Sequence, residues 1–101
     1  MDTHDADMQE LVLKARLIAA EELIAHGKPK EAERLLKRTL KQAEDISDET
    51  NLLVAFVLLE MFDFYEKQGR HDEAKPIWSR MRKIVLTNVP ESYQKKLFVD
   101  S

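Results

Sequence analysis

The chain has no cysteine, so disulfides and thiolate metal sites are excluded. It has two glycines and three prolines in 101 residues, too few for the many turns of an all-β domain. Its longest unbroken apolar run, Leu52 to Leu59, is far shorter than a bilayer span. No stretch alternates apolar and polar residues for long, which removes the strand signal. The acidic opening, Asp2 to Asp7, lacks the basic-then-apolar order of a signal peptide, and a cytoplasmic location is the expectation. What remains is 44% hydrophobic and 35% charged residues, the balance of one folded domain built from long helices with short turns.

Both glycines open the same motif. Gly27 begins Gly-Lys-Pro-Lys-Glu-Ala and Gly69 begins Gly-Arg-His-Asp-Glu-Ala, 42 residues later. The same offset pairs Glu31 with Glu73, Ala32 with Ala74, Leu35 with Ile77, Leu36 with Trp78, Arg38 with Arg80 and Lys41 with Lys83. A fixed period of this size marks a stacked-repeat protein, an architecture that usually binds other proteins. Charge follows the same rhythm, with segments 1–26, 27–46, 47–74 and 75–101 carrying −4, +2, −5 and +4.

The helix signals agree with the period. Asp7 with Glu10 reads as a capping box opening a first helix that runs to about residue 26. Gly27 suits the left-handed position after a helix end, and Pro29 the first turn of a second helix reaching about Ile46. Ser47 to Thr50 offers capping residues for a third helix at about 49–68, apolar nearly all round, and Gly69 ends it. A fourth helix begins near Asp72 and carries Pro76 about one turn in; Asn88 is its expected end. A short fifth follows Pro90, with Val89, Tyr93 and Leu97 on one face. The expected fold is all-α: two antiparallel helix pairs, at about 7–46 and 49–88, and a capping helix at about 90–99, in one domain.

These residues resemble the tetratricopeptide repeat (TPR). In that family an aromatic residue and a Gly close helix A, and an acidic-Ala pair in helix B precedes a large residue four positions on. Tyr65 through Gly69 to Glu73-Ala74, with Trp78, follows this pattern; Ala20, Leu23, Gly27, Glu31, Ala32 and Leu36 are the first copy. Glu73-Ala74-Lys75-Pro76-Ile77-Trp78 looks like the Glu-Ala-Glu-Pro-Leu-Tyr segment of the longer kinesin-light-chain-type repeats. Phe62 and Met81 stand where the family has small residues. The resemblance implies that Trp78 and Tyr65 are core residues and that helix A side chains line a concave groove. That groove face takes Lys14, Leu17, Ile18, Glu21 and Ile24 from the first pair, and Phe56, Leu59, Glu60, Asp63, Glu66 and Lys67 from the second. The Lys, Arg and Asn clamp by which some TPRs hold acidic tails is absent. A basic partner peptide or helix is expected, bound by Leu17, Glu21, Ile24, Phe56, Leu59, Glu60, Asp63 and Glu66.

Other chemistry is disfavoured. His4, His26 and His71 have no shared-helix ligand spacing, so no metal is expected. Glu60, Asp63 and Glu66 read as sharing one helix face, but without a nucleophile motif or a Gly-rich phosphate loop the chain reads as a non-enzyme with no cofactor. The basic run from Lys28 to Lys41 is interrupted by Glu31 and Glu33, the pattern of a solvated face rather than a nucleic-acid site. Met8, Met61 and Met81 read as core fillers. The expected function is a protein–protein interaction module. The alternatives are a self-associating scaffold and a regulatory subunit touching nucleic acid through its basic helices.

Overall fold

The computed structural model describes the backbone of residues 3–47 and 51–98, and the side chains of 7–47 and 51–94. The fold is all-α: α1 (Thr3–Ala25), α2 (Pro29–Ile46), α3 (Leu52–Lys67), α4 (His71–Asn88) and α5 (Glu91–Phe98), with no strand among the described residues. Helix α1 packs on α2 and α3 on α4 as antiparallel pairs; α3 then packs on α2 and more lightly on α1, and α5 on α4. The result is a slab of 41 × 39 × 18 Å, two helices thick, with α1 and α3 in one layer and α2 and α4 in the other.

The repeat is geometric as well as sequential. Gly27 and Gly69 both have φ of 74°. Gly27 N–H donates to Ile24 O at 3.0 Å and Lys28 N–H to Leu23 O at 2.8 Å; Gly69 N–H donates to Glu66 O at 3.0 Å and Arg70 N–H to Tyr65 O at 2.8 Å. Each pair of bonds is a Schellman closure, which consumes the last carbonyls of one helix and turns the chain into the next. An added Cβ would meet nothing within 4 Å at either glycine, so only the left-handed backbone requires them.

Two boundaries depart from the sequence reading. Helix α1 begins at Thr3, so Asp7 lies inside it rather than capping it. Helix α3 is capped by Asn51, whose side chain accepts Leu53 N–H at 2.7 Å. The capping residues expected at 48–50 lie outside the described residues, as does the side chain of Leu97.

The core holds Leu13, Leu17, Ala20, Ala32, Leu36, Ala43, Val54, Val57, Leu58, Met61, Phe64, Tyr65, Ala74, Met81 and Ile84. Thr39, the one buried polar side chain among the described residues, donates its hydroxyl to Leu35 O at 2.7 Å. Two expected core residues are not buried. Met8 is exposed, and Trp78 is half-buried against Phe62, whose ring centroid lies 5.2 Å away. The reason for Trp78 is its place at an edge. Its first-pair counterpart Leu36 is 3% exposed because the second pair covers it, and no further described pair lies beyond Trp78. Phe62, counterpart of the fully buried Ala20, fills part of that gap.

The two pairs are pinned together at the α3–α4 turn. Arg70 donates to both oxygens of Glu33 on α2, at 2.8 and 2.9 Å, and Tyr65 OH donates to Glu33 Oε2 at 2.9 Å. Arg70 also holds Glu73, through Nε at 2.9 Å and Nη2 at 2.6 Å, and its guanidinium carbon lies 4.7 Å from the Tyr65 ring centroid. The Arg70 bonds, followed by those of Tyr65 and Lys37, hold the Glu33 carboxyl down at about 2 against an ordinary 4.5, with burial opposing. Burial first, then the bond to Glu33, pushes the Tyr65 phenol up to about 12. A second bridge, Arg80 to Glu44 at 2.5 Å, joins α4 to α2.

Candidate partner-binding groove

Helices α1 and α3 are parallel neighbours in one layer, and a furrow runs between them. Its mouth end, about 460 Å³, is bounded by Gln9, Glu10 and Lys14 on α1 and by Asn51, Leu52, Leu53 and Phe56, with Ile46 and Ser47 beneath. A narrower middle stretch of about 210 Å³ lies between Lys14, Leu17, Ile18 and Glu21 on one side and Phe56 and Glu60 on the other. The far end, about 440 Å³, is bounded by Glu21, Ile24 and Ala25 and by Glu60, Asp63 and Lys67, with Leu36 and Phe64 as floor.

The eight residues expected at this site fall into three groups. Glu21, Ile24, Phe56, Glu60 and Asp63 line the furrow. Leu17 lines it too, as floor: it is 5% exposed and joins the core beneath, because α3 covers it. The other two, Leu59 and Glu66, are corrections. Leu59, 49% exposed, is not part of the furrow's lining; seven residues before Glu66, it shares that residue's face of α3. Glu66 does not join Glu60 and Asp63. Six residues along a helix turn it about 120° from Glu60, and three turn it about 60° from Asp63. Its carboxylate instead meets His71 Nδ1 at 2.8 Å, at the start of α4.

The electrostatics are milder than the segment charges suggest. Lys67 pairs with Asp63 at 2.9 Å and Lys14 with Glu10 at 3.2 Å, each one turn away on the same helix. Glu60 is the perturbed acid. Partial burial raises its pKa, and the charges of Glu21 across the furrow and Asp63 beside it raise it further. A cation laid over Glu21 and Glu60 would relieve that repulsion. The apolar part is Leu52, Phe56 and Ile18, between 46% and 60% exposed.

Two of these apolar residues stand outside the eight expected from the sequence. Ile18 was placed on the groove face but not among the partner-binding residues, and Leu52 was not placed there at all; both lie on the exposed stripe that the helical period gives. Sequence reasoning also missed the Glu33–Tyr65–Arg70 junction, whose α2 and α3–α4 members are over 30 residues apart and carry no shared local pattern. His26 bonds only its own helix end, Nδ1 to Glu22 O at 2.7 Å. Among the described residues no group of three or more His, Asp or Glu side chains converges to hold a metal ion, and no helix is long and apolar enough to cross a membrane. No family model, no curated protein and no solved structure matches this chain.

Proposed function

We propose that the chain is a non-catalytic, cytoplasmic interaction module of tetratricopeptide-like repeats, and that it holds a basic amphipathic helix of a protein partner in the α1–α3 furrow. The observation that carries this reading is the pairing of half-exposed Ile18, Leu52 and Phe56 with the mutually repelling Glu21 and Glu60 along one furrow. Completing the burial of those three side chains contributes about 1 kcal/mol each. The acids contribute steering and orientation more than affinity, because exposed ion pairs are screened. On the opposite layer Lys37 pairs with Glu33 at 3.3 Å and Arg80 with Glu44 at 2.5 Å, and Glu31 and Glu33 interrupt the remaining basic run of α2, the pattern of a solvated face.

A short amphipathic Leu/Lys helix and its Leu/Glu counterpart serve as probes in an NMR titration of the amide spectrum. The expected result is a set of shifts confined to Lys14, Ile18, Glu21, Leu52, Phe56 and Glu60 with the basic probe, weakening with salt. Equal binding of the acidic probe, or shifts centred elsewhere, overturns the reading.

A further inference from the structure

We propose that the outward face of α1, centred on Ala15, is a homodimer interface on which α1 of a second copy lies antiparallel.

The face is found by comparing the two halves of the chain. Helices α1 and α3 are equivalent under the 42-residue register that the two Schellman turns fix in space. Each packs on its own partner helix, but α3 also packs on the first pair. Positions buried in α3 and exposed in α1 are those that the first pair covers. They are Val54, Val57, Met61 and Phe64, all buried, against Val12, Ala15, Ala19 and Glu22, all exposed. Leu11 and Ile18 extend this stripe at 59% and 60% exposure, and Ala15 and Ile18 lie four and seven residues beyond Leu11. Leu13, Leu17 and Ala20 form the opposite, buried stripe, so α1 is apolar on two faces and satisfies only one. The face is thus the stacking surface of the repeat, covered by no described helix.

What covers it follows from side-chain size and charge. Where α3 presents the large Val57 and Met61 to a cleft between two helices, α1 presents Ala15 and Ala19. That flatter surface suits one helix at close approach. In an antiparallel pair crossing at Ala15, residue numbers that meet sum to 30. Leu11 then lies against Ala19 of the second copy, large against small on either side of the crossing; the two Ala15 face each other at its centre, and Val12 meets Ile18 at the flank. The arrangement closes on a twofold axis. The head-to-tail alternative, with this face on the α4 edge of another copy, is opposed by charge. The junction inside the chain joins Glu33 to Arg70; the equivalent positions in such a stack are Lys75 and Lys28, two cations.

The chain has no cysteine, so any introduced thiol is the only one. Sedimentation equilibrium from about 1 to 200 µM should show a dimer at the upper end, the micromolar regime of a single helix-pair contact. Ala15→Cys should form a cross-linked dimer under mild oxidation, since facing Cα atoms at a small-residue crossing come within disulfide reach of about 7 Å. Phe56→Cys, in the furrow, should not. Leu11→Glu and Ala19→Lys should each weaken the dimer at least about tenfold while keeping helical circular dichroism, and an equimolar mixture of the two should restore it. A monomer throughout the concentration range, cross-linking through Phe56→Cys in place of Ala15→Cys, or a mixture no tighter than its components overturns the proposal. The Ala15→Cys readout stands even if a charged variant loses helicity.

Discussion

Replacing Glu33 by Ala tests how the two helix pairs are joined. The side chain accepts two bonds from Arg70 and one from Tyr65, at 2.8 to 2.9 Å. Its loss strands the Tyr65 hydroxyl in a residue only 3% exposed, a penalty of about 1–3 kcal/mol. The ion pair adds less, because Arg70 reaches solvent and keeps its two bonds to Glu73. Urea denaturation at neutral pH should therefore show a loss of about 1–3 kcal/mol without a change in slope. Adding Tyr65→Phe to the Glu33→Ala background should recover part of it, because the stranded donor goes too. The acid limb gives a second readout. A carboxyl held at about 2 contributes stability that is complete above its ordinary 4.5 and is lost as pH falls from there toward 2. Wild type should lose more stability over that interval than Glu33→Ala does. A cost below about 0.5 kcal/mol at neutral pH, no recovery from Tyr65→Phe, or identical acid limbs would refute the junction as described.

Two further outcomes follow from the edges and the furrow. Leu36→Ala, at a site 3% exposed, should cost about 3 kcal/mol, and Trp78→Ala, half-buried at the open edge, only about 2 kcal/mol despite its larger side chain; a tryptophan cost exceeding the leucine cost by about 1 kcal/mol in chemical denaturation would show that the edge is closed. Glu60→Gln should raise the thermal midpoint at pH 7 and leave it unchanged near pH 3, since a carboxyl raised by burial, Glu21 and Asp63 is a burden only when ionised; equal midpoints of variant and wild type at pH 7 would remove the strain assigned to it.

The helices were legible because their signals are local. Pro29 opens α2 as its first residue, and Gly27 and Gly69 close their helices with the conformation their position requires. The α1 start was misread because Asp7 and Glu10 match a cap in sequence, whereas the helix begins at Thr3. Burial departs from the register for one cause. Leu17 against Leu59, and Leu36 against Trp78, are equivalent by register and differ in burial because one pair is covered by the next and the other is not. Register gives equivalence; position in a finite stack decides exposure. Glu66 failed for a simpler reason: six residues from Glu60, it turns to the α4 start, where His71 meets it.

With two repeats, the described helices are the shortest case of a linear array, with two unit terms and a single interface term. A helical hairpin of this length buries too little to be stable alone. Neither unit outlives the contact between α3 and the first pair, so the interface sets the cooperativity of the whole molecule. Amides of α3, enclosed by both pairs, should open only on global unfolding, and the α1 amides should not persist as a protected subunit once the interface is lost. Folding of either half is in this sense a property of the seam, and a small change at Glu33, Tyr65 or Arg70 acts on every helix at once.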